Sequence, residues 1–193
     1  MEFELQDFED QLFQNIIYTQ KDLSDKEFSN CTFKKCDFSG CDFSGACLIH
    51  CFFQGCNLSN IKVDNCSFQE VEFENCKLLG VMFSSINTLL ISWGYKNCNI
   101  EFCDFSKLEM KESKFIECKI HEVDFVDANL NGADFEKSDL KDSRFVNTNL
   151  EKASFIQAKN YYIDPTHNRL KQARFSYPEV LSLLGGFGIE IEE

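Results

Sequence analysis

The sequence predicts an all-β chain wound into a four-sided coil, a β-solenoid, and three observations carry that prediction. An apolar residue recurs every five positions through most of the 193 residues. Two positions before each of these sits a second residue that is small or apolar. The three positions between are polar or turn-forming, as in Asp37, Ser39 and Gly40, so each unit reads as a short extended piece and a tight turn. A period this strict belongs to repeat architecture and not to an amphipathic helix or simple strand alternation.

Residues 1–26 come first. Phe3, Phe8, Phe13, Tyr18 and Leu23 keep the count, but the small position holds Gln6, Gln11, Lys21 and Lys26. These cannot all be buried without partners, so the segment reads as an irregular cap coil. The solenoid proper is expected over 27–160. Its first run passes through Phe28, Phe33, Phe38 and Phe43 to Phe83, with Cys31, Cys36, Cys41, Cys56 and Cys76 among the small residues. The second run goes from Ile100 through Phe105 and Met110 to Phe155. Four corners close one coil, so residues twenty apart stack at the strand spacing of about 4.8 Å. The expected columns are Phe105, Phe125 and Phe145; Phe115, Phe135 and Phe155; Ile100, Ile120 and Leu140; Met110, Leu130 and Leu150.

Between the runs, over 84–97, the phase slips by two residues and the one tryptophan occurs. Two readings stay open there. Leu89, Leu90, Ile91, Trp93 and Tyr95 fill a bulged coil as core, or a loop presents Trp93 or Tyr95 to a partner. Residues 161–193 form a C-terminal cap. Ser176 and Glu179 make a capping box before Val180, Leu181, Leu183 and Leu184, and Gly185-Gly186 ends the pattern, which predicts a short α-helix. The alternation from Phe187 to Ile191 suggests a last strand. An open solenoid end must be capped or paired, so Val180, Leu181, Leu184, Phe187 and Ile189 are expected to join two copies into a homodimer.

The chemistry-bearing residues argue against catalysis. All eleven cysteines except Cys47 fall in the small position, which spreads neighbours over successive inner walls and leaves no C-x-x-C pair for a metal; they read as buried, inert thiols. His50, His121 and His167 form no general-base or nucleophile constellation, and no phosphate or dinucleotide loop occurs. No enzymatic activity, metal or cofactor is expected. The net charge of −13 and pI of about 4.7 oppose direct binding of nucleic acid and anionic membranes and favour basic partners. The N-terminus has no signal-peptide pattern and no stretch is long enough to span a membrane, so a cytoplasmic protein is expected. Outward carboxylates of the second run, Glu122, Asp124, Asp127, Asp134, Asp139 and Asp142, are the candidate partner-binding face; a solvated, solubilising surface explains them equally well.

Stretches such as CDFSG-CDFSG and ADFEK-SDLKD-SRFVN-TNLEK-ASF resemble the pentapeptide-repeat family over most of the chain. The resemblance implies a right-handed quadrilateral β-helix with the Phe/Leu and Cys/Ala positions inward. Within the family the chain looks most like the gyrase-protecting members, the Qnr quinolone-resistance proteins and the microcin immunity protein. The segments that carry this are CKLLGVMFSSIN, the interrupted coil after it, CNIEFCDF, and the tail YYIDPTHNRLKQARFSYPEVLSLLGGFGI. It implies an acidic rod that mimics DNA at gyrase or topoisomerase IV and confers quinolone or toxin resistance. The alternative is a general interaction scaffold with an unrelated partner. A mimic requires a continuous negative stripe on one face, whereas a scaffold shows mixed charge with an apolar patch.

Overall fold

The computed structural model describes residues 3–88, 92–187 and 189. The chain winds as a right-handed parallel β-solenoid of about eight coils. Each coil has four walls, numbered here in chain order from Phe8, Phe13, Tyr18 and Leu23. Most strands are three residues long with only the middle one buried, as in Thr32–Lys34. They pair in register twenty residues apart: Phe13 with Phe33, Phe33 with Phe53, and Phe53 with Phe73. The expected columns are present. Phe115 and Phe135 stack at 5.0 Å and 3°, and Ile100 pairs with Ile120. Between walls the rings meet edge to face, as Phe105 and Phe115 do at 6.0 Å and 83°, so stacked and T-shaped contacts alternate through the bore.

Nearly every wall ends in a residue with left-handed backbone, most often Asn, Asp, Lys, Glu or Gly with φ between +51° and +71°; the wall of Phe83 ends instead in a short 3-10 helix, Phe83–Ser85. Glycine is needed where the corner is crowded. A Cβ on Gly45 would collide with Asp25 Oδ1 in the corner beneath it.

The cysteines have a backbone task. In the third wall Cys36, Cys56 and Cys76, then Cys98, Cys118 and Ser138, occupy the small position one above another. The Cys56 thiol donates to the Phe33 carbonyl at 3.3 Å while its sulfur accepts the Cys36 N–H at 3.4 Å. Ser138 does the same for the Phe115 carbonyl and the Cys118 N–H at 2.7 and 2.9 Å. These inward N–H and C=O groups have no water to turn to, so the side chain of the next coil supplies the partner. Cys56→Ala is therefore expected to lower unfolding free energy in urea by about 1–3 kcal/mol, and Cys56→Ser to restore most of the loss. Equal losses for the two variants would show that only volume matters.

The slip between the runs is resolved by Trp93. Phe53 pairs with Phe73, but Phe73 pairs with Tyr95, so this coil carries two extra residues. Thr88, in register with Phe68 at the centre of the first wall, is exposed. Trp93 sits in a small-residue position opposite Val71, and its ring packs against Phe68, Phe83 and Phe105. Its indole N–H donates to the Phe68 carbonyl at 3.2 Å. Trp93 and Tyr95 are thus both buried in the strand Trp93–Lys96, which corrects the loop reading: the ring is held by aromatic packing on the bore side and by its bond to the Phe68 carbonyl. Leu89, Leu90 and Ile91 lie outside the described residues.

Both ends depart from the repeat. In the first coil Gln6, Gln11 and Lys21 are exposed and Lys26 half-buried, and Gln6 and Lys26 donate to the Asp25 and Leu5 carbonyls at the open end. Beyond residue 160 the parallel pairing continues to Phe175, which stacks on Phe155 at 5.1 Å. Phe145 pairs with Ile163, only eighteen residues on, and Tyr161 is buried in place of the exposed Asn160. Asn168 then takes over the cysteine role, donating to the Phe145 carbonyl at 2.9 Å and accepting the Thr148 N–H at 3.0 Å. The C-terminal helix is a 3-10 helix, Glu179–Phe187, and not the expected α-helix stopped at Gly185. Ser176 does not cap it, because its hydroxyl accepts the Gln157 N–H at 2.7 Å. Gly185 lies against Tyr162, where a Cβ would come within 3.4 Å of the ring. The stretch suggested as a last strand falls largely outside the described residues.

Candidate functional site

A solenoid with a filled bore can act only through its outside, and register decides which charges share a wall. The fourth wall carries Asp22, Asp42, Asp64, Asp104, Asp124 and Asp164. Its column of bridges links Asp22 with Asp42, Asp104 with Asp124, and Asp124 with Arg144. Glu122 and Asp142 occupy one bounding corner and Asp25 and Asp127 the other. Lys62, Lys107 and Arg144 offset these, Lys62 pairing with Asp42 and Arg144 with Asp124 at 3.3 and 3.2 Å. With coils about 4.8 Å apart, the ten carboxylates amount to roughly one per 4 Å of axis, comparable with the 3.4 Å phosphate spacing along one DNA strand.

The other walls differ. On the second, Glu72, Glu74, Asp134 and Glu136 are met by Lys34, Lys96, Lys114 and Lys137, and on the third, Asp37, Glu101 and Asp139 by Lys77, Lys119 and Lys159. The first wall is acidic near Asp7 and Glu27 and turns basic near Arg169 and Lys171. Negative charge therefore gathers on one edge of the rod.

Local turns keep that edge ionised. The Ser24 hydroxyl and N–H donate to Asp22 Oδ1 at 2.5 and 2.8 Å and hold its carboxyl below the usual range. Ser44 and then Lys62 do the same for Asp42. At Asp104 burial opposes ionisation, but bonds from Ser106 and Ser84 outweigh it. These carboxylates stay charged well below neutral pH.

The six acidic residues singled out from the sequence do not share one face. Asp124 lies on the fourth wall, and Glu122, Asp142 and Asp127 on its corners. Asp134 is on the second wall, its Oδ1 accepting the Glu136 N–H. Asp139 is on the third, between His121 and Lys159 at 3.3 and 3.5 Å. Asp22, Asp42, Asp64 and Asp104 were missed; the signal was the twenty-residue offset carried through the two-residue slip. That offset also accounts for His50, which meets Glu70 at 3.4 Å one coil away, whereas His167 pairs locally with Asp164 at 2.8 Å. The thiols are buried as expected apart from the half-buried Cys47, and burial pushes Cys51 and Cys103 up to about 12. At the C-terminus Leu181, Phe187 and Ile189 are exposed, while Val180 and Leu184 are half-buried.

Fold and surface together define a repeat protein that presents a charged wall on a rigid rod. The family model for the pentapeptide repeat region matches residues 26–94 and 86–160, and the chain belongs to that family. Among solved structures it is similar to QnrB1, a plasmid-mediated fluoroquinolone resistance protein, in the form of a trypsin-treated point variant: TM-score 0.78 at 19% identity, covering 97% of this chain and 99% of that one. Full-length QnrB1 aligns with TM-score 0.52 at 18% identity over 93% and 100% of the two chains. At these identities the likeness is one of fold. No curated protein sequence matches the chain.

Proposed function

We propose that the chain is a non-catalytic binding protein whose fourth wall takes the place of a DNA segment on a type II topoisomerase, gyrase or topoisomerase IV, and so protects or modulates that enzyme. The observation that carries this reading is the gathering of ionised carboxylates on one edge at a spacing near that of a DNA strand, while the second and third walls are balanced. QnrB1, whose fold is similar, is described as a fluoroquinolone resistance protein. Lysines and arginines that hold DNA phosphates would meet Asp22, Asp42, Asp64, Asp104 and Asp124 instead. The exposed Leu181, Phe187 and Ile189 support the further element of a homodimer through the C-terminal end, which doubles the rod; sedimentation at micromolar concentration tests it against the 22.4 kDa monomer.

The test is a gyrase supercoiling assay with the purified chain titrated in, with and without a quinolone. Inhibition of supercoiling, or relief of drug inhibition, is the expected outcome. No effect of either kind at any concentration would remove the topoisomerase from the proposal. The scaffold reading has one observation in its favour, a shallow apolar groove on the fourth wall between Val146 and Tyr162, of which Tyr162 is 61% exposed.

A further inference from the structure

Phe102 is the anomaly of the surface. It occupies the corner between the third and fourth walls with φ +54°, a conformation that is an outlier for a bulky side chain. The same corner in other coils holds Gln20, Gly40, Asn60, Gly80, Glu122 and Asp142, all polar or glycine. Phe102 is 52% exposed and stands outside the stacked rings of the bore, so the strained backbone is not repaid by core packing. Strain of this kind persists where the surrounding fold imposes it, and it gathers at functional positions.

Met82 lies beside it. Its register partner is Asp104, two residues after Phe102, which places Met82 one coil below on the adjoining fourth wall. That outward column otherwise holds Asp22, Asp42, Lys62, Asp104, Asp124, Arg144 and Tyr162, and Met82 interrupts its charged part with a side chain 53% exposed. An aromatic and a methionine side by side match the residue types enriched at the cores of protein interfaces. Above them the surroundings are acidic, with Glu122 one coil above Phe102 and Asp104 one coil above Met82; one coil below lie Gly80 and Lys62, the latter paired with Asp42.

We infer that Phe102 and Met82 form an apolar anchor for a protein partner that offers an apolar pocket rimmed by lysines and arginines. This rests on the reading that the fourth wall meets a basic topoisomerase surface, and it adds what charge alone lacks. Carboxylates steer the encounter and fix orientation, while a desolvated anchor slows dissociation. A DNA mimic built only of charge would lose its hold at high salt; one with an anchor keeps part of it.

The experiment measures binding of gyrase to the wild-type chain and to a Phe102→Asn, Met82→Gln double variant over a range of salt concentrations. The variant should fold as well as the wild type or better, because asparagine tolerates left-handed backbone, and its denaturation midpoint checks this. The expected result is an affinity loss of about tenfold or more with an unchanged slope of log affinity against log salt. Unchanged affinity in the variant, with wild-type binding intact, overturns the anchor and leaves the acidic wall standing. No wild-type binding at any salt overturns both.

Discussion

Replacing Trp93 by alanine is expected to lower the free energy of unfolding by about 4 kcal/mol, roughly a thousandfold in the folding equilibrium. The side chain is 3% exposed and packed among the rings of the bore. Its removal opens a cavity bounded by Phe68, Phe83 and Phe105, whose rings are held by coils above and below and cannot collapse into it. It also strips the Phe68 carbonyl of its indole donor. Trp93→Phe should cost less, since it keeps most of the volume and loses the hydrogen bond. Urea denaturation followed by circular dichroism measures both. A Trp93→Ala variant as stable as the wild type would mean that the ring is a surface feature after all.

The five-residue period was legible because every inward residue must be apolar or small, whatever coil it belongs to. Where the chain gains or loses residues, local periodicity loses its meaning. Tyr95 already belongs to the second run, one unit before Ile100, and only its stacking between Phe73 and Phe115 reveals this. Trp93 occupies a small-residue position that no size rule would assign to it. Near the C-terminus Tyr161 turns inward instead of Asn160, and the loss of residues there is regained before Asn168. The acidic set failed for a related reason: Asp134 and Asp139 are close in sequence to Asp124 but lie on other walls, while Asp42 is distant in sequence and shares its wall. Charge on a solenoid has to be counted by wall.

The second large effect concerns that wall. Reversing Asp64, Asp124 and Asp127 to lysine is expected to weaken binding to gyrase by about a hundredfold or more, given contributions on the order of 1 kcal/mol for each interfacial charge pair and added repulsion. The fold should be unaffected, since lysine already occupies outward positions before and after the central residue, at Lys62 and Lys96, and the left-handed corners at Lys107 and Lys137. The matched control, Glu72→Lys, Glu74→Lys and Glu136→Lys on the second wall, changes the net charge by the same amount and should weaken binding only slightly. Equal losses in the two variants would show that the partner senses total charge and not a face. Raising salt should weaken the wild-type interaction as well, because exposed pairs are screened over about 8 Å at physiological ionic strength.

On the function proposed above, the acidic wall occupies the surface where a topoisomerase holds DNA. The direct test is fluorescence anisotropy of the labelled chain bound to gyrase during titration with linear duplex DNA. Displacement in proportion to DNA occupancy is the predicted result; a ternary complex in which the chain stays bound at saturating DNA would contradict it.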